Sequence, residues 1–186
     1  YSGKKFSTIL TAGPDDTVCI DLPVVYLNGT VTSADSGTWS SLAVPGVFSP
    51  SADSLTTAYT PSAFEIMAGK TYLMLVSKGN RGCPADTDTM VVTITPVVTI
   101  DAGSDATTCS SGSHALSGSF GGAASSITWT SSGDGSFDDD TLTTATYTPG
   151  TNDSTNGTVT LTITTDDPPG GCPSSSDNMT LTVDPA

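Results

Sequence analysis

An internal repeat constrains the fold of this chain more than any other feature of its sequence. The octet AGPDDTVC, which ends at Cys19, returns as AGSDATTC, which ends at Cys109, at an offset of 109 − 19 = 90 positions. Matching residues further along, such as Tyr59 and Tyr147, keep nearly the same offset (147 − 59 = 88). A period of this length corresponds to one small domain. We therefore expect two domains, residues 1–96 and 97–186.

The composition predicts β-structure. Of the 19 acidic residues only Glu65 is a glutamate, and Asp, Gly, Ser, Thr and Pro favour turns over helix interiors. The hydrophobic residues, 35% of the chain, fall in short alternating runs that suit strands with one buried face. The expected fold class is all-β, with two tandem immunoglobulin-like β-sandwiches of about seven strands each. In the first repeat the predicted strands cover 5–11, 22–31, the vicinity of Trp39, Val47 with Phe48, 56–60, 71–77 and 87–95.

One connecting segment differs between the repeats. Ser62 and Glu65 have the spacing of a helix capping box, and Gly69 is suited to end a helical turn, so a short helix is predicted there. The second repeat has GTNDSTNG, residues 150–157, in the same place. Because this segment has no apolar anchor, it is predicted to be a polar loop.

Two strand regions bear on association. The segments 158–165 and 180–183 carry few charges, and we expect them to be exposed edges that can accept a partner strand. The first strand, with Phe6, Ile9 and Leu10, is a candidate for donation to a neighbouring molecule. Pairing within its own domain is the favoured prediction.

The four cysteines occupy the same places in the two repeats. This symmetry predicts one disulfide inside each domain, Cys19 with Cys83 and Cys109 with Cys172. Closing loops of 83 − 19 = 64 and 172 − 109 = 63 residues would stabilise each domain by about 4 kcal/mol in the chain-entropy model. There is no CxxC spacing and only one histidine, which disfavours a zinc site. Disulfides form in oxidising compartments, so the protein is predicted to be exported.

The motifs resemble a known family. They comprise AGxDxTxC, a strand ending LxGxx, a Trp, a Phe some nine residues later, YTP, a VTLTIT-like strand, a Cys-Pro pair and xDxMxLTVxP. This pattern, which covers nearly the whole chain, is similar to the immunoglobulin-like or polycystic-kidney-disease-like repeats of giant bacterial surface adhesins, especially those of gliding bacteria that use type IX secretion. The resemblance implies a secreted or surface-attached β-sandwich array that serves as a stalk, adhesin or fibre.

Nothing in the sequence favours catalysis. His114 lies in Gly-Ser-His-Ala at the start of a strand, where a solvated position is expected. Trp39 and Trp129 have the position of core tryptophans in such sandwiches, although exposed they would serve as sugar-stacking platforms. The predicted function is a non-enzymatic structural or adhesive protein, and the alternative is a carbohydrate-binding accessory module of a secreted enzyme.

Acidic loops are the candidates for metal binding. The stretch GDGSFDDD is oxygen-rich like a calcium loop, but it lacks the ordered spacing of an EF-hand. A structural calcium ion is hypothesised there, bound by Asp134, Asp138, Asp139 and Asp140. A second hypothesised calcium site lies at the domain junction, where Asp101 and Asp105 would meet Asp16 or Asp86 and Asp88. No other cofactor is expected.

Charge is distributed unevenly. Residues 1–96 hold five basic and eight acidic side chains, whereas residues 97–186 hold eleven acidic side chains and no base. Nucleic-acid binding is disfavoured because no basic patch is available to neutralise phosphates. The opposite charges near the two ends favour association of copies head to tail, which propagates into a filament when the rotation does not close. The residues expected at this contact are Lys4, Lys5, Asp177 and Asp184.

Several positions are candidates for modification. An Asp precedes a Ser or Thr that is followed by an apolar residue or Thr, a pattern that resembles bacterial O-glycan acceptors, at Thr17, Ser54, Thr89, Thr141 and Ser154. N-glycosylation triplets begin at Asn28, Asn152, Asn156 and Asn178. No run approaches the roughly 20 apolar residues of a membrane span. The expected partners are further copies of the chain, adjoining repeats and surface glycans.

Overall fold

The computed structural model describes residues 9–80, 82 and 84–185. The chain divides into two compact units. Unit 1 consists of residues 1–96 with 169–171, and unit 2 of residues 97–168 with 172–186. The main division falls between Pro96 and Val97, where the sequence repeat changes. The exception is Pro169–Gly171, a loop segment of the second repeat that groups with unit 1.

Unit 1 has nine strands and one helix in its described part. In chain order these are β1 (Ile9–Thr11), β2 (Asp16–Cys19), β3 (Val25–Asn28), β4 (Thr30–Thr32), β5 (Ser36–Ser41), β6 (Val47–Ser49), β7 (Thr56–Thr60), α1 (Ala63–Ala68), β8 (Lys70–Lys78) and β9 (Thr87–Thr95). One sheet has the order β2-β9-β8-β5, the other has the order β3-β7-β6, and β1 pairs with β4. Only β2 and β9 are parallel; the remaining pairs are antiparallel.

Unit 2 repeats this plan in its described residues. Its elements are β10 (Thr99–Asp101), β11 (Ala106–Cys109), β12 (His114–Ala115), β13 (Ser119–Gly121), β14 (Ile127–Ser131), β15 (Ser136–Phe137), β16 (Thr146–Thr148), α2 (Thr151–Asn156), β17 (Thr158–Thr165) and β18 (Ser176–Asp184). The larger sheet has the order β11-β18-β17-β14, the smaller has the order β12-β16-β15, and β10 pairs with β13. The β11–β18 pair is parallel, like β2–β9.

Each unit encloses its own core between its sheets. Strand residues alternate between buried and exposed positions, as in β3 and β17, which confirms the predicted alternation. Trp39 and Trp129 are each 1% exposed, and burying a large apolar side chain contributes about 2 kcal/mol. The indole Nε1 of Trp39 donates to the Leu55 carbonyl at 3.2 Å, and that of Trp129 to the Leu142 carbonyl at 3.1 Å. Neither indole is therefore left with a buried unpaired donor.

The crossover helix is present in both units. α1 has the predicted capping box, since the Glu65 N–H donates to Ser62 Oγ and the Ser62 N–H donates to Glu65. Gly69 ends the helix in the left-handed conformation, with φ of 70°. The polar loop predicted for residues 150–157 is wrong, because Thr151–Asn156 forms α2 and Gly157 ends it with φ of 74°. The helix needs no apolar anchor because a buried carboxylate replaces it, as described below.

The strand predictions need two corrections. The predicted strand 22–31 is split at Gly29, where an added Cβ would lie 2.6 Å from Leu75 and 2.8 Å from Trp39. The backbone at Gly29 therefore passes close to the core. After this residue the chain no longer pairs with β7, the partner of β3, because β4 pairs with β1 instead. The exposed edges predicted at 158–165 and 180–183 are also wrong, because β17 and β18 are the two central strands of their sheet. The described part of the first strand, Ile9–Thr11, pairs with β4 of its own unit, as predicted.

The predicted pairing of Cys109 with Cys172 is wrong. Cys109 is a free, exposed thiol, so it is not paired with Cys172, whereas Cys19 and Cys172 are both disulfide-bonded. Cys83 lies outside the described residues.

Candidate functional site

Each unit buries one carboxylate at its short helix. In unit 1 this is Glu65, which is fully buried. Tyr59 Oη lies 2.8 and 2.7 Å from its two oxygens, Ser41 Oγ donates to Oε1 at 2.5 Å, and the Ser62 N–H donates to Oε2 at 2.8 Å. Thr71 Oγ1 also donates to Oε1. A carboxylate out of water is tolerated only when donors surround it in this way.

Asp153 takes the same place in unit 2. It is 1% exposed, and Tyr147 Oη donates to its Oδ2 at 2.6 Å. The N–H groups of Gly150 and Gly135 donate to Oδ2 at 3.0 and 3.1 Å, and that of Asp134 donates to Oδ1 at 3.2 Å. Aspartate is one methylene shorter than glutamate. Main-chain donors of the preceding loop therefore replace the side-chain donors of unit 1.

Asp134, a predicted calcium ligand, caps α2. Its carboxylate accepts the N–H of Asn152 at 3.0 and 3.1 Å and the N–H of Asp153 at 3.2 Å, which satisfies donors that a helix start leaves unpaired. The approach is close, because a Cβ on Gly133 would lie 1.6 Å from Asp153 Oδ1. The Gly-Asp-Gly sequence is thus explained by helix capping.

These contacts shift the pKa values of the paired groups. Burial acts to raise the pKa of Glu65, but hydrogen bonds from Ser41, Thr71, Ser62 and Tyr59 outweigh it and leave that pKa below its usual value. The pKa of Asp153 is lowered in the same way, against burial, by donors that include Tyr147. Burial and the neighbouring Asp153 raise the pKa of Tyr147 to about 12. Both buried carboxylates are therefore ionised at neutral pH.

A second pair of contacts ties each octet to the last strand of its unit. In unit 1 the Ala12 N–H donates to Asp88 Oδ2 at 2.8 Å, and the Val91 N–H donates to Asp15 Oδ1 at 2.8 Å. We call these reciprocal bonds the aspartate clasp. In unit 2 the clasp is made by Ala102 with Asp177 at 2.8 Å and by Thr180 with Asp105 at 2.7 Å.

Sequence reasoning missed the clasp, although the signal was present. The fourth residue of both octets is Asp, and an Asp stands two positions before both matching methionines, Met90 and Met179. Repetition of a polar residue at equivalent positions indicates a shared structural contact.

The clasp lies beside the parallel strand pair. In unit 1, β2 enters the ladder at Asp16 opposite Val92, and β9 leaves it at Thr95 opposite Cys19. Tension applied to the two ends of the unit therefore pulls at opposite ends of one ladder. All of its hydrogen bonds are loaded together, whereas an antiparallel pair pulled from one end opens bond by bond. β11 and β18 have the same geometry in unit 2.

The other predicted calcium ligands are engaged locally. Asp138 accepts the Thr146 N–H at 2.6 Å, Asp139 accepts the Thr141 N–H at 3.0 Å, and Asp140 is exposed. Each carboxylate predicted at the domain junction accepts a backbone N–H. The donors are Gly103 to Asp101, Thr180 to Asp105, Thr17 to Asp16, Thr87 to Asp86 and Ala12 to Asp88. Among residues 9–80, 82 and 84–185, no group of three or more His, Cys, Asp or Glu side chains is arranged to hold a metal ion. Calcium binding stays a prediction.

An exposed aromatic residue that the sequence reasoning did not single out lies beside a depression in unit 1. Trp39 and Trp129 are buried, which confirms their predicted place in the core. Tyr26, on the edge strand β3, is 82% exposed and borders a depression of about 270 Å³. Asp15 and Asn28 contribute polar groups to this depression, and Met90 contributes to its apolar lining.

The remaining predicted residues lie apart from these sites. His114 is half-buried in β12 opposite Tyr147. Lys4 and Lys5 lie outside the described residues. Asp177, a predicted self-association residue, is used by the clasp, and Asp184 is exposed.

Among the O-glycan candidates Thr89 and Thr141 are exposed and Thr17, Ser54 and Ser154 are half-buried. The N-glycan candidates are all exposed: Asn28, Asn152, Asn156 and Asn178. Glycosylation stays a prediction.

Comparisons with known proteins identify the fold. No protein-family model and no curated protein matches the chain. Extracellular domains 3–5 of Drosophila OTK match it with a TM-score of 0.60 and 11% identity, over 91% of this chain and 59% of that one. Sidekick-1 immunoglobulin domains 1–4 match with a TM-score of 0.60 and 10% identity, over 95% and 48%. A fragment of three titin immunoglobulin domains gives 0.56 and 11%, over 96% and 66%.

These likenesses establish an immunoglobulin-like fold, with β-sandwich units in tandem. The chain spans about half of the Sidekick-1 fragment and 59% of the OTK fragment. In the part of the chain that the structure describes, no helix is both long and apolar enough to cross a membrane.

Proposed function

We propose that this chain is a non-enzymatic, load-bearing module of an extracellular structural or adhesive protein. The observation that carries the proposal is the parallel pairing of terminal strands in both units, β2 with β9 and β11 with β18. Each pair is reinforced by an aspartate clasp. The two buried carboxylates, Glu65 and Asp153, are each bonded to a core tyrosine of their unit, which fits a structural role.

Cys19 and Cys172 are disulfide-bonded, which supports export, since such bonds persist in oxidising compartments. The resemblance to repeats of bacterial surface adhesins agrees with a load-bearing role and suggests the host context.

We also propose end-to-end assembly into a fibre through the charged termini. The unequal charge of the units, −3 and −11, supports it. Because the clasp already uses one carboxylate oxygen of Asp177, only the other oxygen is available for such a contact. Because exposed ion pairs are screened by salt, fibres of this kind are expected to shorten in high salt. Electron microscopy of concentrated protein tests this, and isolated particles at low salt would contradict it.

Stretching single molecules by their ends, after reduction, tests the load-bearing role. We expect two separate unfolding events, one per unit, at forces governed by the unfolding barrier. Asp15→Ala and Asp88→Ala should lower the force of one event and leave the other unchanged. Asp21→Ala, an exposed site outside the clasp, is the matched control. Unfolding forces that are unaffected by the clasp variants would contradict the proposal.

A second candidate function is carbohydrate binding, and the exposed Tyr26 favours it. Its ring is available to stack on a pyranose, and Asp15 and Asn28 are placed beside the depression to bond hydroxyl groups. Unit 2 has Ala115 at the position that matches Tyr26. Titration with neutral methyl glycosides, followed by NMR of the tyrosine rings, tests this function. Tyr26→Ala should abolish any binding, and unchanged spectra at millimolar sugar would exclude the site.

A further inference from the structure

Unit 1 leaves one edge of its smaller sheet uncovered. β1 runs along β4 as far as Thr11, which lies opposite Thr30. The chain then turns at Gly13, whose φ is 91°, and joins the other sheet as β2. β3 lies at the end of its own sheet and pairs with β7 on one side, and in the described part of the chain no strand lies on its other side. We call this open side of Val25–Asn28 the β3 edge.

The main-chain groups of two residues point out of the β3 edge. In an antiparallel pair, residues that bond across the ladder alternate with residues whose N–H and C=O groups point away from it. The Gly29 N–H donates to the Leu55 carbonyl at 2.9 Å, so Gly29 belongs to the bonded set, and Leu27 two positions before it does too. Tyr26 and Asn28 are the alternate residues. Their N–H and C=O groups therefore point to the side where a further strand would lie.

The depression that borders Tyr26 opens beside the same edge. Its volume of about 270 Å³ is below the roughly 300–1,000 Å³ of a cavity that encloses a whole small ligand, and it suits one side chain of a longer ligand. Leu27 and Met90 are buried and contribute apolar surface, whereas Asp15 and Asp16 are exposed. None of the described residues that line the depression is basic. The lining therefore combines buried apolar groups with exposed negative charge.

We infer that the β3 edge binds an extended peptide that carries a lysine or an arginine. The main chain of the peptide adds a strand to the sheet, and one of its side chains enters the depression, as in other cases of strand addition. The apolar stem of the basic side chain packs on the apolar lining, while its charged group faces the carboxylates of Asp15 and Asp16. The ring of Tyr26, which is 82% exposed, adds a cation–π contact.

Charge and main-chain geometry select this class of partner. Asp15 and Asp16 each use Oδ1 for a backbone N–H, of Val91 and Thr17 respectively, and keep Oδ2 for the ligand. The net charge of −14 attracts a basic partner and repels an acidic one. The outward N–H and C=O groups of β3 call for a partner with N–H and C=O groups at the spacing of a strand. A peptide has them and a sugar does not.

Unit 2 lacks the features that form this site. Its matching edge strand, β12, has two residues, and Ala115 stands where unit 1 has Tyr26. Ala106, the first residue of β11, stands where β2 begins with Asp16. The fold does not require the aromatic ring or the second carboxylate, so their presence in unit 1 fits a ligand. Peptide binding goes beyond the load-bearing role, which uses β2 and β9.

Amide NMR of the whole chain tests the inference. The probe is the peptide Thr-Val-Lys-Val-Thr, acetylated and amidated at its ends. Its control has norleucine in place of lysine, which keeps the apolar stem and removes the charge. Two further versions of the probe are N-methylated, one at both valines and the other at the lysine and the last threonine. Because alternate N–H groups of a strand face opposite sides, strand addition is blocked in one of these versions and spared in the other.

We expect the lysine peptide to shift the amide signals of Tyr26, Asn28 and Asp16 and to leave those of unit 2 unchanged. The dissociation constant should rise at least fivefold for the norleucine peptide, and equally in Asp16→Asn, which retains the Oδ1 that accepts the Thr17 N–H. Tyr26→Ala should raise it at least fivefold, whereas Tyr26→Phe, which keeps the ring, should bind like the unchanged chain. The amide signals of β8 report whether the variants stay folded.

Four results would overturn the inference. The first is a lack of shifts up to about 10 mM lysine peptide, beyond the range of specific affinities. The second is equal binding of the lysine and norleucine peptides, and the third is equal binding of the two N-methylated versions. The fourth is a set of shifts caused by neutral methyl glycosides and by neither peptide, which would favour sugar binding at Tyr26 instead.

Discussion

Tyr147 Oη donates to Asp153 Oδ2 at 2.6 Å, in the position where Tyr59 contacts Glu65 in unit 1. The two pairs are offset by the same 88 positions. Asp153 is shorter than Glu65, and the main-chain N–H groups of the loop before β15 lie close enough to bond it directly. Asp134 of the same loop accepts an N–H group at the start of α2. One structural role is thus filled by different donors in the two units.

Removing the buried carboxylate should selectively destabilise unit 2. Asp153→Ala leaves the N–H groups of Gly150 and Asp134 without the acceptor that they share, and Tyr147 Oη keeps only Ser131 Oγ as an acceptor. We expect a loss of about 2–4 kcal/mol in the free energy of unfolding. Hydrogen exchange followed by mass spectrometry should show faster exchange in β16 and β17 and no change in β8. Asp167→Ala, at an exposed position, is the control, and equal effects of the two substitutions would contradict this role.

Acid should unfold both units by protonating these carboxylates. The pKa values of Glu65 and Asp153 are lowered in the folded state, so their contribution is present above the unfolded pKa values of about 4.3 and 3.9. It is lost as the pH falls through the lower folded values. The free energy of unfolding should therefore be nearly constant from pH 7 to 5 and fall below about pH 4. A steeper loss between pH 7 and 5 would point to other groups.

Peptide mapping tests the state of Cys109. Because this thiol is free and exposed, alkylation of the native protein without reductant should label it. Detection of a peptide in which Cys109 is linked to Cys172, the symmetric pairing, would contradict the structure.

Chelation separates the two roles considered for the acidic loop. Because Asp134 is already paired with N–H groups of α2, we expect EDTA to leave the melting temperature unchanged. Asp134→Ala should lower it both with and without calcium, since it removes a helix cap of about 1 kcal/mol. A calcium-dependent rise in melting temperature that Asp138→Asn abolishes would instead support the predicted ion.

The repeat and the alternation of strands were sufficient to predict the fold class, the buried tryptophans and the α1 capping box. They did not reveal α2, because the anchor of that helix is a charge buried through contacts with Gly135 and Asp134, distant in sequence. They misled for Cys109, because equivalent positions in two copies need not share a covalent partner. They did not indicate that Asp134 accepts N–H groups at the start of α2. Local sequence patterns thus predicted most strands and α1, whereas α2 and the role of Asp134 depend on polar contacts between residues distant in sequence.

The central claim is that each unit bears tension through its parallel terminal pair and its aspartate clasp, and extension of single reduced molecules with both clasps weakened tests it most directly. Each unit of the unchanged protein should unfold in an event of its own. Asp15→Ala with Asp105→Ala, which removes one bond of each clasp, should lower the unfolding force of both events. Asp21→Ala, outside both clasps, should leave both forces unchanged. Two events at unchanged force in the double variant would contradict the claim.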